Sequence, residues 1–251
     1  ERLRAAGIDV EVCPGAAESR ELNMGFFSRM VRKTPWVRMK VAASLDGTTA
    51  LHNGTSQWIT STEARTDGHA WRARACAVLT GIGTVLEDNP RLDVRLVETP
   101  RQPIRVVVDS RLQMPLDALI LRATSALYIY DAEQNYAKKS ALEALGATVV
   151  YLPNADGKVD LAAMLHDLGT RGINELHVEA GEKLNGSLIR AGLVDEFLVY
   201  LAPQLIGKGR GMAQLGPLER LCDAVPLAFM STTMVGPDLR IVARIPGRDQ
   251  F

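Results

Sequence analysis

The sequence predicts an α/β fold in which a largely parallel sheet is covered by helices on both faces. Three observations predict it. Strand-like and helix-like segments alternate from Trp36 onward, the pattern that crossover connections impose on a parallel sheet. Ile104 to Asp109 (IRVVVD) is apolar and β-branched throughout, as a strand buried on both faces must be. A chain of 251 residues, 47% hydrophobic and 23% charged, can bury a substantial core and has ordinary globular composition.

The elements follow in order. Residues 1–23 read as a helix end, a short strand and the start of another helix. The chain then runs through Met24 to Met30 into Arg32-Lys33-Thr34-Pro35, a basic link ending in a helix-breaking proline. This places a boundary between residues 1–34 and 35–251. Val37 to Ala43 reads as a strand. Thr60 to Cys76 reads as a helix, its start marked by the capping-box spacing of Thr60 and Glu63. Cys76 to Thr80 is a short apolar strand, and IRVVVD is the next. Ala126 to Tyr130 and Ala147 to Tyr151 are strands around a helix from Tyr136 to Leu145. Leu161 to Leu168 is helical and Glu175 to Ala180 a strand. From Asp195 to Ile245 strands dominate, FLVYLAP and DLRIVARI most clearly.

Composition limits the function classes. A formal net charge of +0 removes the simple electrostatic argument for nucleic acid or an anionic membrane as partner. No apolar run approaches the roughly 20 residues that cross a bilayer. The three cysteines, Cys13, Cys76 and Cys222, are far apart and odd in number, which fits a reducing cytoplasm without a disulfide framework. The chain opens on Glu1 in mid-pattern and is read as part of a longer protein.

Ligands of open α/β sheets bind beyond the carboxyl ends of the strands, and three such ends carry unusual residues. Leu79 to Thr84 (LTGIGT) has two glycines after an apolar strand, so backbone N–H groups can approach a phosphate. Leu86 stands where a dinucleotide fingerprint has its third glycine, so an ordinary tight turn is the competing reading. Val178 to Ser187 (VEAGEKLNGS) runs from a strand through a glycine turn into a helix beginning near Leu184. It reads equally as a phosphate cradle with Glu179 at the cleft mouth or as a turn with a solvated glutamate. Asp109-Ser110-Arg111 suits a ribose 2′-phosphate, or is a plain surface turn.

His177-Val178-Glu179 has the H-x-E spacing of zinc deaminases but lacks the downstream P-C-x-x-C pair. His177 therefore reads as a packed or hydrogen-bonded sheet histidine. His52, His69 and His166 lack metal-ligand spacing, and no metal is expected.

Five motifs in order resemble one family, the riboflavin-biosynthesis reductases. They are Met39 to Gly47 (MKVAASLDG), Gly54 to Thr60 (GTSQWIT), Leu79 to Arg95 (LTGIGTVLEDNPRLDVR), Val107 to Ser110 and Val178 to Ser187. The resemblance covers Pro35 to Ile245. Residues 1–34 are similar to the end of the deaminase domain that precedes the reductase in bifunctional members, plus a linker. The zinc-binding deaminase motifs are absent, so deamination is not expected of this chain.

The resemblance implies a dihydrofolate-reductase-like fold with a central mixed, mostly parallel sheet, and a homodimer. It implies NADPH-dependent reduction of 5-amino-6-(5-phosphoribosylamino)uracil to its ribitylamino counterpart, with hydride transfer to ribose C1′. Carried over by motif, the cofactor contacts are Ala42, Trp58, Thr84, Asp88, Ser110 and the segment Gly181, Glu182, Lys183, Leu184, Asn185, Gly186 and Ser187. The substrate contacts are Ser56, Arg72, Leu92, Arg95 and Glu179. Arg72 and Arg95, converging with the Ser56 hydroxyl, would hold the terminal phosphate; otherwise they are surface arginines. Trp58 would offer an apolar face to the nicotinamide, or pack in the core, or both. Lys40 and Glu179 are the candidates for proton transfer or for orienting the sugar; Lys40 reads equally as a structural ion-pair partner. A pterin reductase of the dihydrofolate type and a non-catalytic NADPH-binding module are the alternatives.

Overall fold

The computed structural model describes residues 1–11 and 14–251. Its elements run α1 (Arg2–Ala5), α2 (Ala16–Leu22), α3 (Met24–Arg32), β1 (Trp36–Ser44), β2 (Thr48–Leu51), α4 (Thr62–Arg74), β3 (Ala77–Gly81) and α5 (Ile82–Asp88). β4 (Ile104–Val108), β5 (Leu127–Asp131), α6 (Tyr136–Ala144), β6 (Ala147–Tyr151), α7 (Leu161–Thr170) and β7 (Glu175–Val178) follow. The chain ends with α8 (Glu182–Arg190), β8 (Glu196–Ala202), β9 (Gly209–Gly211), β10 (Ala228–Val235) and β11 (Asp238–Arg244).

Nine strands form one sheet in the order β10-β11-β8-β1-β7-β3-β4-β5-β6. From β8 to β6 every neighbouring pair is parallel, and β11 runs antiparallel to both β8 and β10. The sheet is therefore mixed and mostly parallel. β2 and β9 pair separately as a small antiparallel ribbon.

Alternation along each strand decides which layer a residue joins. Val37, Met39 and Val41 of β1, Leu79 of β3 and Leu176 and Val178 of β7 face α7 and α8, where Met164, Leu165, Leu168 and Leu188 complete one core. Val78, Val107, Leu127 and Ile129 face the other side and pack with Val85 of α5 and Leu142 of α6. On that second side α4 covers β8 and β11 through Ala64, Trp71, Leu198, Tyr200 and Val242. Helices thus cover both faces, as the sequence predicts.

Several details differ from expectation. The helix expected over Thr60 to Cys76 is shorter. Ser61, not Thr60, is its N-cap: its hydroxyl accepts from Ala64 N–H at 3.2 Å, while Thr60 is buried and its carbonyl accepts from Arg65. The short strand expected in residues 1–23 falls partly outside the described residues, as does Cys13; among the described residues no strand precedes Trp36. Cys76 and Cys222 are free thiols. α3, assigned from sequence to the end of a preceding unit, packs on the sheet. A Cβ on Gly25 would lie 2.6 Å from Glu175 Cγ, so only glycine permits that approach. Arg32 pairs with Asp195 at 2.9 Å, and Glu21 of α2 pairs with Arg244.

Asp131, at the end of β5, is buried and its Oδ1 has no hydrogen-bond partner. Burial pushes its carboxyl up to about 6. A carboxyl that binds its proton more tightly when folded contributes stability fully only below its ordinary range, and loses it as pH rises through about 6. Asp131→Asn is therefore expected to raise stability at pH 7.5 by about 1–2 kcal/mol, after allowance for solvent screening, with the gain vanishing near pH 4. Thermal melts at the two pH values check this; a gain of equal size at both contradicts it.

Candidate active site

The carboxyl ends of β1, β7 and β3 open into one region beside α4. Because β1 and β7 are parallel neighbours with Arg38 opposite His177, Lys40 on β1 projects to the same side as Glu179, just beyond β7. Arg72, on the last turn of α4, reaches the same point. It makes a forked pair with Glu179: Nε donates to Oε1 and Nη2 donates to Oε2 at 2.8 Å. Its Nη1 donates to the Asp93 carbonyl at 2.9 Å. Both side chains of the pair are 15% exposed, so the fork is largely desolvated and geometrically specific.

Below it lies His177, fully buried, with Nε2 3.3 Å from Glu179 Oε1. Burial lowers the His177 pKa, so it is a neutral sheet histidine, as the sequence predicts. Burial also works against the charge of Glu179. The cations Arg72 and Lys40 and the His177 contact more than offset it and hold that carboxyl well below the usual range. Burial and the nearby Arg72 bring Lys40 down, opposed by Glu179. A lysine and an ionised carboxylate therefore stand together where β7 ends beside β1, an arrangement able to orient hydroxyl groups and pass a proton.

Arg95 lies on the loop that Asp93 shares. It pairs with Asp93 at 2.6 Å and is about half exposed. Arg72 is not free alongside it as the phosphate clamp requires, since three of its donors are already engaged; only its remaining Nη hydrogens are available to a ligand. Between the two lies His69, one helical turn before Arg72, which sequence reasoning passed over because it looked only for metal-ligand spacing. Its nitrogens meet the Arg95 N–H and Arg72 Nη1. The usable signal was the i, i+3 spacing of His69 and Arg72 on one helix face.

The remaining candidates fall into three groups. Ala42 lies on β1, and partly buried Ser56 and 64% exposed Trp58 lie in the loop before α4, with the Arg65 guanidinium 4.4 Å over the indole. Thr84 and exposed Asp88 are on α5, and Ser110 follows β4, its hydroxyl accepting from Val159 N–H at 3.1 Å. The segment from Gly181 to Ser187 is not a loop. Gly181 caps α8 and Glu182 to Ser187 are helical, two residues earlier than the start expected near Leu184.

Within that segment the residues divide. Asn185 is buried and donates to the Met212 carbonyl, Gly186 is closed against the Gln214 backbone, and Glu182 accepts from Gly211 N–H. Ser187 donates to the Lys183 carbonyl and Leu184 covers Gly81. Lys183 is exposed. Leu92 has φ 51° and is 3% exposed in the core beneath α5, so the structure gives its side chain a packing role where a substrate contact was expected.

The cradle fits a phosphate group. Gly181 supplies no side-chain cap, nothing lies within 4 Å of where its Cβ would be, and the first-turn N–H groups of α8 lack intrahelical partners. Among the described residues no cluster of three or more His, Cys, Asp or Glu is placed to hold a metal ion.

Comparison with known proteins identifies the family. A family model described as the RibD C-terminal domain matches residues 35–241. The chain is 39% identical to the riboflavin biosynthesis protein RibD of Escherichia coli (strain K12), over 95% of this chain and 67% of that one. To that of Aquifex aeolicus (strain VF5) it is 37% identical, over 96% and 66%. Acinetobacter baumannii RibD superposes with a TM-score of 0.84 at 32% identity, over 96% of this chain and 67% of that chain. A Thermotoga maritima diaminohydroxyphosphoribosylaminopyrimidine deaminase/5-amino-6-(5-phosphoribosylamino)uracil reductase shares the fold, with a TM-score of 0.83 at 24% identity over 97% and 66%. The chain spans about two thirds of the length of these relatives. Matched by the family model over most of its length and by these relatives almost end to end, the chain belongs to the RibD C-terminal domain family.

Proposed function

We propose that this chain reduces 5-amino-6-(5-phosphoribosylamino)uracil to 5-amino-6-(5-phosphoribitylamino)uracil with NADPH, a step of riboflavin biosynthesis in the cytoplasm. The observation that carries the reading is the cluster of Lys40, Glu179 and Arg72 where β7 ends beside the middle of β1, with Arg95 on the adjoining loop. Family membership supports it.

NADPH, when bound, supplies the hydride. The chain's own residues bind, orient and handle the proton. The N–H groups at the start of α8 would hold the cofactor's diphosphate, and Ser110, whose hydroxyl hydrogen is not committed by its contact with Val159, would hold the 2′-phosphate. Ionised Glu179 accepts from the sugar hydroxyls and cannot itself donate a proton at neutral pH. Lys40 would be the donor: its Nζ would give O4′ the proton that it needs when the C1′–O4′ bond opens. Arg95, with the free hydrogens of Arg72, takes the substrate's phosphate.

Arg95→Ala tests the reading. The substrate KM is expected to rise about 10- to 100-fold, the worth of a charge-assisted contact, while NADPH affinity stays within about twofold. An unchanged KM removes the phosphate role and favours the pterin substrate; NADPH binding without turnover by the unaltered chain favours the binding module.

The same reading includes a homodimer. β10 is an edge strand whose Phe229, Met230 and Met234 are exposed, an apolar strip that a second copy would cover. Light scattering that gives the mass of one protomer contradicts it.

A further inference from the structure

His69 is 5% exposed on α4, between the two arginines that the proposed reading assigns to the substrate's phosphate. The main-chain N–H of Arg95 donates to its Nδ1 at 3.2 Å. That bond puts the hydrogen of the neutral ring on Nε2. Burial first, then the charges of Arg72 and Arg95, lower its pKa to about 4, so the ring is neutral at physiological pH.

Nε2 faces Nη1 of Arg72 at 3.5 Å, and both atoms carry hydrogen. Exchanging the tautomer does not remove the conflict, because it then sets Nδ1–H against the Arg95 N–H. Protonating the ring makes both contacts donor against donor. In every state one of these donors lacks an acceptor within the protein, which is costly wherever water is kept away. Glu179 and the Asp93 carbonyl already take other hydrogens of Arg72 and leave this position unanswered. An oxygen shared by His69 Nε2–H and Arg72 Nη1–H resolves it. Beside two guanidinium groups, that oxygen belongs to an anion.

We propose that His69 is a third phosphate anchor: its Nε2–H donates to an oxygen of the substrate's phosphate, alongside Arg72 and Arg95. The proposal rests on the reading of the substrate as a sugar phosphate. Being neutral, His69 contributes direction rather than charge. It restricts which oxygen of the phosphate lies toward α4, so its loss is felt in binding.

Two variants and one measurement on the unaltered chain test it. His69→Gln keeps an amide oxygen for the Arg95 N–H and an amide N–H for the phosphate; His69→Leu keeps bulk and loses both. The Leu variant is expected to raise the KM for phosphoribosylaminouracil about 10-fold, with kcat and the NADPH dissociation constant within about twofold, and the Gln variant to restore KM to within about threefold. On the unaltered chain, nitrogen-15 NMR is expected to show Nδ1 without hydrogen and an Nε2–H signal that inorganic phosphate shifts. A Gln variant as damaged as the Leu variant, an unchanged KM in both, or an Nε2–H signal indifferent to phosphate overturns the anchor. The two readings fail separately. If phosphoribosylaminouracil is not turned over yet phosphate still shifts the His69 signal, the anchor stands and the substrate falls. If turnover is normal in His69→Leu, the substrate stands and the anchor falls.

Discussion

Glu179→Gln lowers kcat by about 100-fold or more, the loss expected when a positioned charge that acts in the transition state is removed. The substitution keeps the size and one acceptor oxygen, so the sugar still has a partner, but the charge that Arg72 and Lys40 face is gone. Two further results accompany the loss. Glu179 raises the Lys40 pKa, so removing it lets burial and Arg72 bring Lys40 lower still. The alkaline limb of the pH–rate profile, where Lys40 gives up its proton, then moves to lower pH. NADPH affinity changes little, because the cradle at α8 does not include this side chain. A Glu179→Gln enzyme with more than about a third of the activity, or with an unmoved alkaline limb, contradicts the assignment.

Arg38→Met produces the largest loss of stability. Arg38 is 2% exposed, donates to Glu196 and to Glu175 at 2.9 Å, and lies 4.5 Å over the Trp71 ring. Methionine fills much of the volume but leaves both carboxylates short of a partner. Glu196 keeps only Arg244, at 2.7 Å, and Glu175 keeps only the more exposed Arg74, at 3.2 Å. Removing one side of a buried ion pair costs about 3–5 kcal/mol, more than the whole pair contributes, because the remaining charge stays buried. For a domain of this size that corresponds to a Tm lower by on the order of 10 °C. Arg38→Lys keeps the charge without the fork and is expected to lose about half as much. A Met variant within about 2 °C of the parent shows that the network relaxes or admits water.

The sheet was legible because its strands are written in an unambiguous pattern. IRVVVD became β4 almost unchanged, and the alternating segments from Trp36 became parallel neighbours. The ribbon of β2 and β9 was not legible. Three residues, Gly209 to Gly211, carry no strand propensity, and contacts such as Thr49 with the Arg210 carbonyl hold them in place. The start of α8 was expected two residues late because a glycine cap leaves no side-chain signal. α3 looked like a connection because its burial is set by Asn174 and Glu175, far along the chain.

At the site, motif resemblance named candidate residues but not their state. Sequence could not tell that Arg72 is committed to Glu179, since the two are 107 residues apart and meet only through the sheet. Leu92 was named for its place in a motif, whereas its side chain belongs to the core and its backbone is left-handed. His69 was missed because its role depends on a main-chain N–H 26 residues away.

The most direct test of the central claim is the loss of NADPH absorbance on adding 5-amino-6-(5-phosphoribosylamino)uracil, with NADH and the dephosphorylated substrate run in parallel. The account predicts rapid loss with NADPH and the phosphorylated substrate, and little with either control. No loss with any pair, despite measurable NADPH binding, contradicts it.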